Sequence, residues 1–171
     1  MLISESYREL NRRLHASNEL YGGELKPNTT EMLTKVCQQL QTSDLLDYGC
    51  GKGVIASALP FPPKEYDPAI KGKEASPEPA DVVYCGDVLE HIEPECLNDV
   101  LDDLVRVTKK IGIFVIHLTP ALKFLEDGRN THLILESGWW WADKLSKKFL
   151  LKGVMFFDSN RAVQIVVAPK V

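Results

Sequence analysis

Three glycines at alternate positions follow a short apolar run and an aspartate in the stretch 45–53, which reads LLDYGCGKG. The apolar run is typical of a buried strand, and the glycines are typical of a tight turn before a helix. A glycine has no Cβ, so the backbone there can take a positive φ or come close to a ligand. Turns of this kind bind nucleotide-like cofactors at the carboxyl edge of an α/β sheet.

The spacing of the glycines separates the cofactors that such a turn could hold. A phosphate-binding P-loop, G-x-x-x-x-G-K-[ST], is excluded because Lys52 is followed by Gly53 and the upstream glycine is missing. The dinucleotide fingerprint, G-x-G-x-x-G, fits Gly49 and Gly51 but lacks its last glycine. A NAD-type oxidoreductase fragment therefore stays an alternative at this point.

Asp-x-Gly-x-Gly-x-Gly at a strand end resembles motif I of the class I S-adenosylmethionine (SAM) dependent methyltransferases. SAM has no phosphate, and the resemblance implies that a carboxylate and exposed backbone groups hold its amino-acid end. Small bacterial and phage methyltransferase-like proteins are similar over nearly the whole chain, through YDPA at 66–69, DVLEHI at 87–92 and DGRN-x-H at 127–132. The cofactor-binding residues implied are Asp47, Gly49, Cys50, Gly51, Lys52, Gly53, Tyr66, Asp67, Asp87 and Val88.

Asp67 closes the second predicted strand, about twenty residues after the glycine motif. In the methyltransferase family an acidic residue at this point takes the ribose hydroxyls of SAM, since a carboxylate can accept both. A turn aspartate before Pro68 is the plain structural alternative. The spacing favours the ribose contact.

A second group of chemically active residues is Asp87, Glu90 and His91, spaced i, i+3 and i+4. On one helical turn these side chains share a face, which makes a divalent-metal half-site. A histidine that only caps the turn or lines the pocket is the alternative.

The order D-x-x-E-H, then T-P, then a loop histidine resembles two groups of enzymes. They are the small-RNA 3′-terminal 2′-O-methyltransferases and the ubiquinone-pathway O-methyltransferases. The resemblance implies Asp87, Glu90, His91 and His132 as ligands of Mg²⁺ or Mn²⁺, with Asp87 in place of the usual glutamate. A metal there would lower the pKa of an acceptor hydroxyl and orient it.

These residues favour methyl transfer to an oxygen of a small molecule, a sugar or an RNA end. His91 and His132 are the candidate bases, and Arg129, Asn130 and Trp140 are the candidate acceptor contacts. A DNA amino-methyltransferase is disfavoured because no [DNS]-P-P-[YFW] tetrad follows the strand at 81–86. A non-catalytic SAM- or S-adenosylhomocysteine-binding protein is the remaining alternative.

Alternating strands and helices that end in a hairpin must position these residues. They predict an α/β fold with a Rossmann-like methyltransferase sheet and a C-terminal antiparallel hairpin. We expect the sheet to be trimmed around the third strand, because residues 67–80 leave little room for the usual helix and third strand. We expect one domain, 1–171, with N-terminal helices in 1–43 covering the cofactor pocket and a SAM-binding core in 44–171. We further expect Tyr7, His15 and Tyr21 to line the pocket, and His117 to be a core histidine. The predicted helices cover residues 4–18, 53–59 and 139–150, and two more begin at Asn28 and at Pro94. The predicted strands cover 65–67, 81–86, 111–118, 154–157 and 162–167, and another ends near Asp47.

The composition of the chain limits the kinds of partner that we expect it to bind. The net charge of −4 disfavours extended nucleic-acid binding. The four cysteines form no C-x-x-C pair, which predicts reduced thiols rather than a zinc ribbon or disulfides. No apolar run approaches the roughly 20 residues of a membrane span, and no signal-peptide pattern follows the N-terminus, so we expect a cytoplasmic protein without a membrane partner.

Overall fold

The computed structural model describes residues 1–17, 21–23 and 25–170, and it forms one six-stranded sheet between two layers of helices. The strand order is β2-β1-β3-β4-β6-β5. The strands are β1 (Leu45–Tyr48), β2 (Lys64–Tyr66), β3 (Ala80–Gly86), β4 (Thr108–His117), β5 (Phe149–Phe157) and β6 (Ala162–Pro169). The helices are α1 (Glu5–Ser17), α2 (Thr29–Gln39), α3 (Val54–Ala58), α4 (Leu97–Val107) and α5 (Gly138–Ser146), with 3-10 turns at Leu89–His91 and Pro94–Cys96.

The first four strands are parallel, and the last two form the predicted antiparallel hairpin at the far edge. Gly86 at the end of β3 pairs with Val115 of β4, and the N–H of Asp87 donates to the carbonyl of Val115 at 2.9 Å. The carboxyl ends of β1, β3 and β4 therefore meet at one edge of the sheet. The residues that follow these strands are brought together there.

Alternate residues of each strand point to opposite helix layers, because side chains in a strand alternate between faces. Leu46, Val83 and Phe114 face α4 and α5, where Trp141 is fully buried. The other face packs against α2 and α3, with Val82 in its cluster. Burial on both faces explains why these strands are continuous apolar runs.

The sheet is trimmed as the sequence predicts. From Asp67 to Pro79 the chain forms turns without a helix or strand, and β3 then begins. Within the described residues β2 is thus the edge strand on that side.

The predicted end of the last helix and the predicted start of the strand after it are wrong. The helix expected over 139–150 ends at Ser146, and β5 begins at Phe149 instead of Val154. Phe149 pairs with Pro169 and packs its ring 5.6 Å from that of Phe114, so burial in the sheet overrides the helical pattern there. The four cysteines are buried free thiols, as expected. No helix in the described ranges has the length and apolarity needed to cross a bilayer.

Candidate active site

A cavity of about 530 Å³ opens at the carboxyl ends of β1, β3 and β4. Such a volume is ordinary for a small-molecule site. The glycine loop and Asp67 form one side of it, and residues after β3 and β4 form the other. The helix α1 and residues 21–23 supply a third wall, through Tyr7, His15 and Tyr21.

The glycine loop is held by backbone hydrogen bonds. The N–H groups of Gly49 and Cys50 both donate to the carbonyl of Tyr66, at 2.7 and 3.0 Å. The N–H of Lys52 donates to the carbonyl of Gly22 at 2.8 Å, which joins the N-terminal segment to the loop. Gly53 has φ +76° and precedes α3.

Gly51 has φ +50°, and a Cβ there would lie 2.5 Å from the carbonyl oxygen of Gly22. We expect Gly51→Ala to unfold more easily and to lose SAM affinity, because both backbone segments would have to move. Gly72→Ala is the matched control, since Gly72 has φ +89° but nothing within 4 Å of the added Cβ. In both variants an alanine in the left-handed backbone conformation lowers the free energy of unfolding by about 1–2 kcal/mol. Thermal melting should show a larger loss for Gly51→Ala; equal losses would contradict the close packing of these segments.

Asp47 is buried at the end of β1 with 3% of its surface exposed. Its Oδ2 has no hydrogen-bond partner among the described residues. Burial, with a smaller contribution from Glu65, raises the pKa of Asp47 to about 7. A buried carboxylate without a partner beside a cavity is suited to receive a cationic group.

Asp67 lies across the loop from Asp47. Its Oδ2 accepts from the N–H of Gly51 at 3.0 Å, and its Oδ1 accepts from the N–H of Ala69 at 2.8 Å. Each carboxylate oxygen has a second lone pair, so the residue keeps the capacity to accept from ligand hydroxyls. Val88 lines the same cavity and lies against Gly49, where a Cβ would be 2.3 Å from Val88 Cγ2.

The N-terminal wall is connected to the core by side-chain hydrogen bonds. The hydroxyl of Tyr7 donates to the carbonyl of His91 at 2.6 Å. The hydroxyl of Tyr21 donates to Asn11 Oδ1 at 2.8 Å, and Asn11 Nδ2 donates to the carbonyl of Tyr7 at 3.0 Å. These contacts fix α1 over the residues that follow β3.

Asp87, Glu90, His91 and His132 come together at the carboxyl ends of β3 and β4, and all but the buried Glu90 line the cavity. One potential ligand atom from each lies within 4.8 Å of the others. Asp87 stands outside the 3-10 turn Leu89–His91, with φ +61°. The sequence spacing thus brings the residues together although they do not form one continuous helical turn.

The segment 118–132 returns His132 to this cluster. Lys123 and Thr131 pair across it, with the N–H of Thr131 donating to the Lys123 carbonyl at 3.1 Å. The side chain of Asn130 accepts from the N–H groups of Ala121 and His132, both at 3.0 Å. His132 Nδ1 is 2.6 Å from the carbonyl oxygen of Thr119. A carbonyl can only accept, so Nδ1 carries the proton and Nε2 presents a lone pair to the cavity.

Glu90 is fully buried, and its charge is unfavourable there. Its Oε1 accepts from the N–H of His117 at 2.6 Å, whereas Oε2 has no partner among the described residues. Burial and the charge of Asp87 raise the pKa of Glu90 well above its usual value. For Asp87 burial would raise the pKa, but the charges of the nearby His91 and His117 outweigh it and hold the pKa well below its usual range.

This donor set fits a divalent cation. Two carboxylates and two imidazoles are common metal ligands, and Glu90 Oε2 is a buried carboxylate oxygen without a hydrogen-bond partner among the described residues. Burial and the neighbouring His91 lower the pKa of His132, so its imidazole is neutral near pH 7, as a metal ligand or a base must be.

His117 differs from its expected place in the core. It is the last residue of β4 and lines the cavity, with 23% of its side chain exposed. Its Nε2 is 3.7 Å from Asp87 Oδ1. Sequence reasoning missed it because it ends an apolar run; its place at a strand end beside Asp87 was the available signal.

The residues predicted to contact an acceptor lie at the periphery. Arg129 is 5.4 Å from the ring centre of Tyr7 and pairs with Asp127. Asn130 uses its amide within its own loop. Trp140 packs on the core beside Lys144. None of the three predicted contacts is among the described residues that line the cavity, and their contact with an acceptor stays a prediction.

Comparison with models of protein families and with curated protein sequences gives no match. Solved structures are similar. The 1,6-didemethyltoxoflavin-N1-methyltransferase of Burkholderia thailandensis has a TM-score of 0.71 at 11% identity, over 100% of this chain and 92% of that one. Magnesium protoporphyrin IX methyltransferase of Synechocystis PCC 6803 has a TM-score of 0.61 at 14% identity, over 96% and 100%. The 16S rRNA methylase ArmA has a TM-score of 0.55 at 13% identity, over 95% and 97%.

The chain therefore has the class I methyltransferase fold. The resemblance noted in the sequence is confirmed at this level, as are the parallel core and the C-terminal hairpin.

Proposed function

We propose that this protein is a SAM-dependent methyltransferase acting on a hydroxyl oxygen of a small-molecule, sugar or RNA-end acceptor. The observation that carries the proposal is that one cavity is lined both by the glycine loop with its two aspartates and by three members of the carboxylate–histidine cluster, Asp87, His91 and His132. The similar structures support the donor, since two of them were solved with bound S-adenosylhomocysteine. Their names span a small heterocycle, a porphyrin and an rRNA, so they leave the acceptor open.

The proposed roles on the donor side follow from charge. Asp47, with its partnerless buried oxygen, pairs with the ammonium group of SAM, and the backbone of Gly49 and Gly51 lies along its amino-acid end. Asp67 accepts from the ribose hydroxyls. The wall formed by α1 excludes water from the donor, which strengthens these interactions.

Methyl transfer needs alignment and removal of one proton. SAM, when bound, supplies an electrophilic methyl group on its sulfonium. The acceptor oxygen forms a bond to the methyl carbon while the bond between sulfur and that carbon breaks. The electron pair of the broken bond stays on sulfur, which gives S-adenosylhomocysteine. In the site without an ion, His132 Nε2 takes the acceptor proton, because its Nδ1 is committed to Thr119 and its imidazole is neutral near pH 7.

Asp87, Glu90, His91 and His132 would hold a divalent cation at the acceptor side of the cavity. Its chemistry when bound would be to lower the pKa of an acceptor hydroxyl. With the ion bound, His132 would be a ligand instead of the base, and Asp87 and His91 would fix the position of the ion that orients the acceptor.

The test is S-adenosylhomocysteine release from SAM with a panel of acceptors. The panel contains catechols, ribosides and a short RNA with a free 3′ end, each with Mn²⁺ and with EDTA. We expect turnover with at least one hydroxyl acceptor and a loss of at least about tenfold in His132→Ala. Binding of SAM without turnover across the panel would favour the non-catalytic alternative.

A further inference from the structure

Three imidazoles converge on one oxygen of Asp87. The distances from Asp87 Oδ1 to Nε2 are 3.6 Å for His91, 3.7 Å for His117 and 3.8 Å for His132. Metal–ligand bonds of about 2.0–2.2 Å put two ligand atoms on one ion roughly 3.0–4.3 Å apart. Each of the three imidazoles thus lies from Asp87 Oδ1 at the separation expected of two ligands on one ion. His117 is outside the four-residue group whose ligand atoms are all within 4.8 Å of one another, so its side chain would move toward the ion on binding.

The main chain of His117 is held in the sheet and joined to the cluster. It ends β4 directly opposite Ala162 of β6. Its N–H donates to Glu90 Oε1 at 2.6 Å, so the residue is tied to another member of the cluster. Its ring is stacked on that of His132, with centroids 5.9 Å apart and an interplanar angle of 29°.

The imidazoles of His91 and His132 also have their Nε2 atoms toward Asp87. The Thr119 carbonyl holds the proton of His132 on Nδ1, which is the usual support for a histidine metal ligand. The ring of His91 lies edge-on to that of His132 at 4.6 Å and 86°, so the two do not block each other. The partnerless Glu90 Oε2 adds a buried carboxylate oxygen to the cluster.

We infer that His117 is a further ligand of the metal site and that three imidazoles make this site select a later transition ion, such as Zn²⁺ or Co²⁺, over Mg²⁺. The inference rests on the proposed metal site of the methyltransferase and extends it by one residue and by the class of ion. Mg²⁺ takes oxygen ligands and keeps several waters, whereas imidazole nitrogens suit the later transition metals. A set of three nitrogens with two carboxylates therefore favours the second class.

The experiment is metal titration of the full, metal-stripped chain without an affinity tag. Isothermal titration with Zn²⁺, Co²⁺ and Mg²⁺ gives affinities, and the visible spectrum of the Co²⁺ form reports coordination directly. We expect one ion per chain and an affinity for Zn²⁺ or Co²⁺ at least about 100-fold above that for Mg²⁺. His117→Ala should weaken Co²⁺ binding by about tenfold or more and change the Co²⁺ spectrum.

Three further variants separate the explanations. His117→Asn keeps a polar side chain in case the alanine variant misfolds, and its melting curve reports folding. His15→Ala removes an imidazole that lines the cavity outside the cluster, and its Co²⁺ affinity and spectrum should match the parent. His132→Ala tests the four-residue site itself.

The outcomes are distinguishable. Unchanged Co²⁺ affinity and spectrum in a folded His117 variant, with a loss in His132→Ala, would overturn the role of His117 and leave the four-residue site intact. Equal or tighter binding of Mg²⁺ would overturn the proposed selectivity. Absence of any ion binding by the parent would overturn both metal assignments, while SAM binding measured on the same sample would still stand for the methyltransferase.

Discussion

Asp47→Asn is expected to stabilise the protein at pH 8 while removing its affinity for SAM. In the folded chain burial raises the pKa of Asp47 to about 7 from a usual value of 3.8. The folded state then holds a proton that the unfolded state has lost, so stability falls as pH rises from about 4 to 7. The two pKa values place this cost on the order of 4 kcal/mol above pH 7.

An amide at this position removes that pH-dependent cost. The new N–H group lacks an evident partner, so the net gain should be about 1–3 kcal/mol at pH 8 and should vanish toward pH 4. Loss of the charge opposite the SAM ammonium should weaken binding by about 30-fold or more. Denaturant unfolding at pH 5 and pH 8, with SAM titration at pH 8, measures both effects.

The control for this variant is Asp143→Asn, an exposed carboxylate on α5 that pairs with Lys147. It should change neither stability by more than about 0.5 kcal/mol nor SAM affinity. Parental SAM affinity in Asp47→Asn would remove the charge pairing from the account. A stability difference independent of pH would contradict the raised pKa.

The second large effect is expected for Glu90→Gln. Glutamine keeps an oxygen to accept from the N–H of His117 but cannot become the anion that a cation would need. Burial and the charge of Asp87 raise the pKa of Glu90, so the parent loses stability as pH rises above about 4.5 until the folded pKa is reached, and Glu90→Gln does not. The variant should therefore be more stable than the metal-free parent at pH 8.

Glu90→Gln should weaken metal binding, although it stabilises the metal-free protein. At 100 times its dissociation constant an ion stabilises the parent by about 2.7 kcal/mol, which melting curves with and without Zn²⁺ detect as a rise of several degrees. That rise should disappear in Glu90→Gln and persist in Glu95→Gln, an exposed neighbour on the turn Pro94–Cys96. An undiminished Zn²⁺ response in Glu90→Gln would remove Glu90 from the metal site.

Much of the donor side of the cavity is predictable from local sequence. Alternate glycines after a buried strand force a tight turn, and Asp67 follows the next strand at the expected interval. The C-terminal hairpin follows from two apolar runs joined by polar residues. In each case the signal and the structure it predicts lie within a few residues of one another.

The acceptor side depends on contacts between distant segments, which sequence spacing does not encode. His117 belongs by alternation to the same strand face as Ile113 and Val115, so it reads as a core residue. Only the register of β4 beside β3 brings it to Asp87. Asn130 is likewise a residue type that often contacts ligands, but hydrogen bonds within its loop occupy its side-chain amide.

In the proposed function the glycine loop and its aspartates bind SAM. Isothermal titration of the full chain with S-adenosylhomocysteine, SAM and NAD⁺ tests it most directly, with Asp67→Ala as the site variant. We expect one S-adenosylhomocysteine or SAM to bind per chain, a marked loss of affinity in Asp67→Ala, and no heat with NAD⁺. Binding of NAD⁺ alone, or no binding of either sulfur compound by the folded parent, would contradict it.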